Sequence, residues 1–113
     1  MVEYYKTSSG KMPVYEFLNN LPVKMRAKAF RGIELLEELG PQIKKPYSKQ
    51  VKDGIYELRI RFGSDTSRIF YFFYTGRKII LTNGFIKKTK KMTTNEFDKA
   101  LRYKADYERR FPE

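Results

Sequence analysis

Three strand-like segments follow one another in the second half of the chain, and they constrain the fold more than any other feature. Ile55–Phe62 alternates between apolar and polar side chains, Ser67–Tyr74 is dominated by aromatic and β-branched residues, and Lys78–Ile86 is rich in Ile and Leu. The connections Gly63–Thr66 and Thr75–Gly76 have the length and composition of hairpin turns. These segments therefore predict an antiparallel meander.

The rest of the chain predicts mainly helices. Val2–Thr7 reads as a first strand, Pro13–Asn20 as a short helix, and Pro22–Gly40 as a longer helix with one apolar face. Gln42–Asp53 is basic and turn-like with no clear period, and a last amphipathic helix ends at Pro112. The predicted order is β-α-α-β-β-β-α, which defines an α+β domain with a mostly antiparallel sheet.

Length and missing residue types limit the function. With 113 residues, the chain forms one domain spanning residues 1–113. It contains no Cys and no His, which excludes thiolate zinc sites, cysteine nucleophiles and the Ser-His-Asp triad. The longest apolar run, Ile69–Tyr74, is far too short to span a membrane. We expect a cytoplasmic protein without a cofactor or a bound metal.

Positive charge is concentrated in the middle of the chain. Residues 44–91 hold thirteen basic and three acidic residues, and so carry nearly all of the net charge of +11. Nine of the eighteen aromatic residues lie in the same stretch. A localised basic field interleaved with aromatic rings is typical of a nucleic-acid-binding surface.

The first hairpin predicts which polar side chains share a face of the sheet. A loop centred on Ser64 and Asp65 sets the register of the two strands. The opposed pairs are then Arg61 with Arg68, Arg59 with Phe70, and Glu57 with Phe72. Two arginines directly opposite each other repel, so the pair indicates either a preformed phosphate site or a polar face with arginines extending into water.

Two further features extend this face. Continuing through Thr75–Gly76 pairs Phe72 with Ile79 and Phe70 with Leu81. A lysine run follows the last strand, and it either closes a cationic cleft beside the hairpin or forms a solvated loop. The lysines of this run are Lys87, Lys88, Lys90 and Lys91.

These strands carry a family resemblance. The motifs YELRIRF from Tyr56, SRIFYF from Ser67 and GFIKKT from Gly84 resemble the phage-derived HigB-like branch of the RelE/ParE toxin superfamily. The resemblance implies a toxin of a bacterial type II toxin–antitoxin module. RelE-like members cleave mRNA in the ribosomal A site, and a helix-turn-helix, HigA-like antitoxin neutralises them in a hetero-oligomer. ParE-like members of the same fold poison DNA gyrase instead.

The resemblance also implies roles for particular residues. Glu57 and Arg59 fall at strand positions that carry catalytic residues in RelE-type toxins, Arg68 at the transition-state-stabilising arginine, and Lys88 near a late basic position. The expected RNA-binding residues are Arg61, Phe70, Lys87, Lys90 and Lys91.

The residue types allow metal-free RNA cleavage, because the RNA supplies its own 2′-hydroxyl as the nucleophile. Glu57 is the only carboxylate on the hairpin face, so it is either the general base or an ion-pair partner of Arg59 or a nearby lysine. The lysine run either protonates the leaving oxygen or binds backbone phosphates. The sequence therefore predicts a ribosome-dependent endoribonuclease toxin. A ParE-like gyrase inhibitor and a plain nucleic-acid-binding module remain the alternatives.

Overall fold

The computed structural model describes residues 1–87 and 94–112, and the predicted α+β fold is confirmed within them. A turn of 3-10 helix, Gly40–Gln42, follows the second α-helix. The other elements are β1 (Val2–Tyr4), α1 (Pro13–Asn19), α2 (Val23–Leu39), β2 (Ser48–Lys52), β3 (Ile55–Phe62), β4 (Asp65–Tyr74), β5 (Lys78–Lys87) and α3 (Thr94–Arg110). No helix in the described ranges has the length and apolar character needed to cross a membrane.

One five-stranded sheet, in the order β1-β5-β4-β3-β2, separates two hydrophobic clusters. β1 runs parallel to β5, and the other neighbouring strands are antiparallel. One face packs against α1 and α2 through residues such as Leu18, Leu36 and Leu58. The other face packs against α3, with Phe72 and Tyr107 in its cluster. Since α3 covers only part of this second face, polar residues of β3 and β4 lie beside the helix.

The interpretation of residues 42–53 as turn-like was wrong, because β2 forms there and pairs with β3. β2 is an edge strand, and only Ser48 of its five residues is buried. An edge strand with so little buried surface has no apolar alternation to reveal it. The observed order therefore contains one more strand than predicted, β-α-α-β-β-β-β-α.

The register predicted for the first hairpin was also wrong. Phe62 pairs with Asp65, which leaves Gly63 and Ser64 as the loop, and Arg59 rather than Arg61 lies opposite Arg68. Gly63 has a φ of +61°, as the first loop position of a type II′ turn requires. The two-residue loop therefore begins at Gly63, one residue earlier than the predicted loop. The register moves by two residues, a full period of side-chain alternation, so every side chain keeps its predicted face.

The pairing predicted for the second hairpin failed for two reasons. Its loop has three residues, 75–77, instead of two, so Phe72 pairs with Ile80 rather than Ile79. A β-bulge then shifts the register again, so that Phe70 pairs with Asn83 rather than Leu81. Because the bulge inserts one residue, the part of β5 beyond it turns its other side toward α3. Since the longer loop and the bulge each shift the register by one residue, Lys87 lies on the same face as Arg68, as the predicted pairing also had it.

Hydrogen bonds hold both ends of α3 against the sheet. Asn83 Nδ2 donates to the Glu96 carbonyl (3.0 Å) at the start of the helix. Near its end, the Tyr107 hydroxyl donates to Glu3 (2.5 Å) and the Tyr5 hydroxyl to Asp106 (2.5 Å). Burial and the hydrogen bond to Asp106 raise the pKa of Tyr5 to about 12, so this hydroxyl remains a donor at neutral pH. These bonds hold the helix that forms one wall of the site described next.

Candidate functional site

Polar side chains form three adjoining rows across the sheet face that α3 leaves open. Glu57 lies between Lys49 on β2 and Phe70 on β4. In the next row Arg59 pairs with Arg68, and Phe85 follows on β5. The third row contains Arg61, Thr66 and Lys87. Since partners in an antiparallel sheet project to the same side, the register itself gathers these cations.

Glu57 binds both arginines of the middle row. Its Oε2 accepts a hydrogen bond from Arg59 Nε (2.9 Å) and another from Arg68 Nη1 (2.6 Å). The Glu57 side chain is only 9% exposed, while those of Arg59 and Arg68 are 30% and 15% exposed. One carboxylate therefore stabilises two like charges that would otherwise repel, and the cluster keeps a net positive charge.

The Glu57 carboxyl is ionised at neutral pH. Burial alone would raise its pKa, but hydrogen bonds from Arg68 and Arg59 outweigh burial, and the pKa lies below its ordinary value. The buried Nε of Arg68 has no hydrogen-bond partner in the described part of the chain. A buried unpaired donor is costly, so this nitrogen favours an incoming acceptor.

A cavity of about 420 Å³, here called the cationic cleft, opens between this cluster and α3. Five basic residues line it, namely Lys49, Lys52, Arg59, Arg68 and Lys87. Asp53, Glu57 and Asp98 are its acidic residues, and Phe70, Phe97 and Leu101 contribute apolar surface. Within residues 1–87 and 94–112, no group of three or more carboxylates could hold a metal ion. The cleft is suited to an anion with flat, apolar parts.

The structure brings four of the predicted residues together in this cleft, namely Glu57, Arg59, Arg68 and Lys87. Phe70 also lines it, but the residue is only 2% exposed and forms part of the floor. Arg61 projects from the same face, but near the end of β3 it lines a different cavity, which extends around the edge of the sheet to α2. Lys88, Lys90 and Lys91, which the sequence also indicated, lie outside the described residues.

Lys49, Lys52 and Phe97 line the cleft without having been predicted as site residues. Lys49 and Lys52 belong to the unpredicted strand β2, and the Lys52 ammonium lies 5.4 Å from the centre of the Phe97 ring. The basic composition of residues 44–52 was the available signal. Without β2, nothing placed those lysines beside Glu57.

The stability of the fold is expected to fall in acid partly through Glu57. A carboxyl whose folded-state pKa is depressed stabilises the protein above its unfolded pKa, and this contribution is lost as pH falls through the folded pKa. We expect Glu57→Gln to be less stable than wild type at pH 7, and to lose less stability between about pH 5 and pH 2. Urea unfolding at several pH values measures this difference.

Asp106→Asn serves as the comparison, since the hydrogen bond from Tyr5 also lowers the pKa of Asp106. In acid, this variant should lose the part of the folding stability that depends on ionised Glu57, but not the part that depends on ionised Asp106. If Glu57→Gln lost as much stability in acid as wild type, the two ion pairs would not contribute to folding.

The fold and the cleft define a small α+β protein with a basic cleft on its sheet. Residues 16–105 match the family described as phage derived protein Gp49-like (DUF891). This match covers most of the chain, and the chain belongs to that family, which is of the RelE/HigB-like toxin type. A search of curated proteins finds no significant match.

Proposed function

We propose that this protein is the toxin of a type II toxin–antitoxin module and cleaves mRNA on the ribosome. The observation that carries the proposal is the pair Arg59 and Arg68, which face each other on neighbouring strands and are held by Glu57 in the cationic cleft. Arginine donors match the geometry of a phosphate better than any other side chain. The toxin type of the family supports the same assignment.

In this proposal the two arginines bind the scissile phosphate. Attack by the 2′-oxygen of the preceding ribose adds negative charge to the phosphoryl oxygens, and preorganised donors stabilise that charge. Arg68 Nε has no partner among the described residues, and the exposed part of Arg59 can turn to the ligand without unfolding the strand. The P–O5′ bond then breaks and leaves a 2′,3′-cyclic phosphate and a 5′-hydroxyl end.

Two proton transfers complete the reaction that we propose. Glu57 accepts the proton of the 2′-hydroxyl. The pKa of Glu57 is depressed while both arginines donate to its carboxylate. A bound phosphate competes for the same donors. When the arginines donate to the phosphate instead, the pKa of the Glu57 carboxyl rises and it becomes a better base. Lys87, which lines the same cleft, donates a proton to the leaving 5′-oxygen. Lys88 is the neighbouring candidate for this role, and Lys90 and Lys91 for contacts with RNA phosphates.

The proposed partners follow from the same function. A small helix-turn-helix antitoxin would bind the toxin in a hetero-oligomer, and ribosomes would supply mRNA in the cytoplasm. The protein carries a net charge of +11, which favours association with ribosomal RNA before a specific contact forms.

The decisive experiment uses purified ribosomes stalled on a defined mRNA. We expect wild-type protein to cut the mRNA within the A-site codon, as mapped by primer extension, and to leave the same mRNA intact when ribosomes are absent. The variant carrying Arg59→Ala and Arg68→Ala should produce no cuts. Arg102→Ala, which removes an exposed arginine from α3, should cut like wild type and serves as the control.

Other outcomes would replace the proposal. If mRNA remained intact while expression of the protein arrested growth and blocked DNA supercoiling, the protein would be a ParE-like gyrase inhibitor. If it bound nucleic acid without cleavage or growth arrest, it would be a binding module only.

A further inference from the structure

A second cavity, here called the helical cavity, lies between α2 and the edge of the sheet and has a volume of about 440 Å³. Its walls come from α2, from the segment before β2 and from the ends of β3 and β4. The lining residues are Lys28, Arg31, Gly32, Leu35, Pro46, Tyr47, Arg59, Ile60, Arg61, Thr66 and Arg68. The volume is in the range of pockets that hold small ligands.

The charges of the helical cavity are unbalanced. Five of its lining residues are basic, namely Lys28, Arg31, Arg59, Arg61 and Arg68, and none is acidic. Lys28, Arg31 and Arg61 are exposed and form no salt bridge with any residue in the described ranges. By contrast, the cationic cleft contains three acidic residues. The helical cavity therefore holds three cations that no described carboxylate neutralises, beside two, Arg59 and Arg68, that are paired with Glu57.

Its other surfaces are apolar and aromatic. Leu35, Pro46 and Ile60 line it, and Tyr47 at its edge is 52% exposed. The Tyr47 backbone is fixed, because its carbonyl accepts a hydrogen bond from Arg59 N (2.8 Å). An exposed aromatic ring on a fixed backbone is the kind of platform on which single-stranded bases stack.

The two cavities meet at the same arginines, since Arg59 and Arg68 line both. They do so because β2 begins at Ser48, opposite Leu58, so the part of β3 that follows has no strand beside it. A ligand can therefore pass around this edge of the sheet from one cavity to the other.

We propose that the helical cavity is a nucleotide-binding subsite for single-stranded RNA, in which Arg31 and Arg61 hold a phosphate and a base stacks on Tyr47. The scissile phosphate then lies at Arg59 and Arg68, and the neighbouring nucleotide occupies the helical cavity. We take RNA as the ligand because this proposal rests on the function proposed above.

Binding is measured separately from cleavage with a short single-stranded RNA whose 2′-hydroxyls are methylated. We expect Arg31→Ala and Tyr47→Ala each to weaken binding on the order of tenfold in fluorescence anisotropy titrations. Arg31→Ala should also lower the slope of log K against log salt by about one phosphate contact, whereas Tyr47→Ala should leave that slope unchanged. Arg102→Ala is the matched control and should bind like wild type.

Inorganic polyphosphate is the second probe, since it has the charge of RNA but no bases. Its binding should weaken in Arg31→Ala and stay at the wild-type level in Tyr47→Ala. If Tyr47→Ala bound RNA like wild type, or if polyphosphate bound as tightly as RNA, the surface would be a site for any polyanion, including an acidic protein, and the subsite would be disproved. Amide NMR shifts of Gly32 and Tyr47 in the wild-type protein must change on adding RNA, which tests the site without any variant.

The two proposals fail in different ways. If the variants weaken binding as expected while wild type never cleaves mRNA on ribosomes, the subsite stands and the enzymatic function falls. If wild type cleaves and both variants bind and cleave normally, the function stands and the subsite falls.

Discussion

Replacing Arg68 with alanine is expected to lower the rate of mRNA cleavage by roughly 10²–10³-fold, the usual cost of removing one preorganised donor from a developing oxyanion. Arg68 is the less exposed of the two arginines bound to Glu57, and its Nε is the unpartnered buried donor in the described chain. Of the two guanidinium groups, that of Arg68 therefore has less contact with water that could replace its bond to the phosphate. Single-turnover cleavage of mRNA on stalled ribosomes measures the effect.

Arg68→Lys separates catalysis from folding. A lysine keeps the positive charge beside Glu57, so the variant should fold and sediment with ribosomes like wild type. It lacks the planar fork that binds two phosphate oxygens at once, and its cleavage rate should remain well below that of wild type. If Arg68→Ala and Arg68→Lys both cleaved at the wild-type rate, Arg68 would have only a structural role, and the enzymatic proposal would lose its central residue.

Side-chain alternation was enough to predict the face on which the cluster lies, but it did not determine the partners within that face. Glu57, Arg59 and Arg68 share a face in either register, because the two registers differ by two residues. The pairing depended on which residue of the loop takes a positive φ, and the structure places Gly63 there. Recognising the glycine as the first position of a type II′ turn would have paired Arg59 with Arg68.

The remainder of the site depends on features that leave little trace in sequence. Lys87 was predicted beside the hairpin and does lie there, but only because two features that the residue pattern did not indicate, the third loop residue and the bulge in β5, each shift the register by one residue and so cancel in side-chain direction. Lys49 and Lys52 reach the cleft through an edge strand whose exposed residues show no apolar alternation. The concentration of positive charge in residues 44–91 was predictable, whereas its division between two cavities required the tertiary structure.

Phe72→Ala is expected to reduce the free energy of unfolding by about 3–5 kcal/mol, the usual cost of truncating a buried aromatic residue. Phe72 is fully buried between the sheet and α3. Its ring contacts that of Tyr107 at a centroid distance of 5.7 Å, and the Lys104 ammonium lies 5.7 Å from its centre. Small domains have a total stability of about 5–15 kcal/mol, so this loss would place the variant close to unfolding. Urea unfolding at neutral pH measures it.

Phe62→Ala is the matched control, because Phe62 ends β3 and is 36% exposed. Its truncation should cost about 1 kcal/mol, near the average for point substitutions. The difference between the two variants measures how firmly α3 packs on the sheet. Because α3 supplies Phe97 and Leu101 to the cationic cleft, loosening this helix should also weaken RNA binding there. Equal losses of stability in the two variants would show that α3 contributes little to the core, and the cleft would then lack a rigid wall.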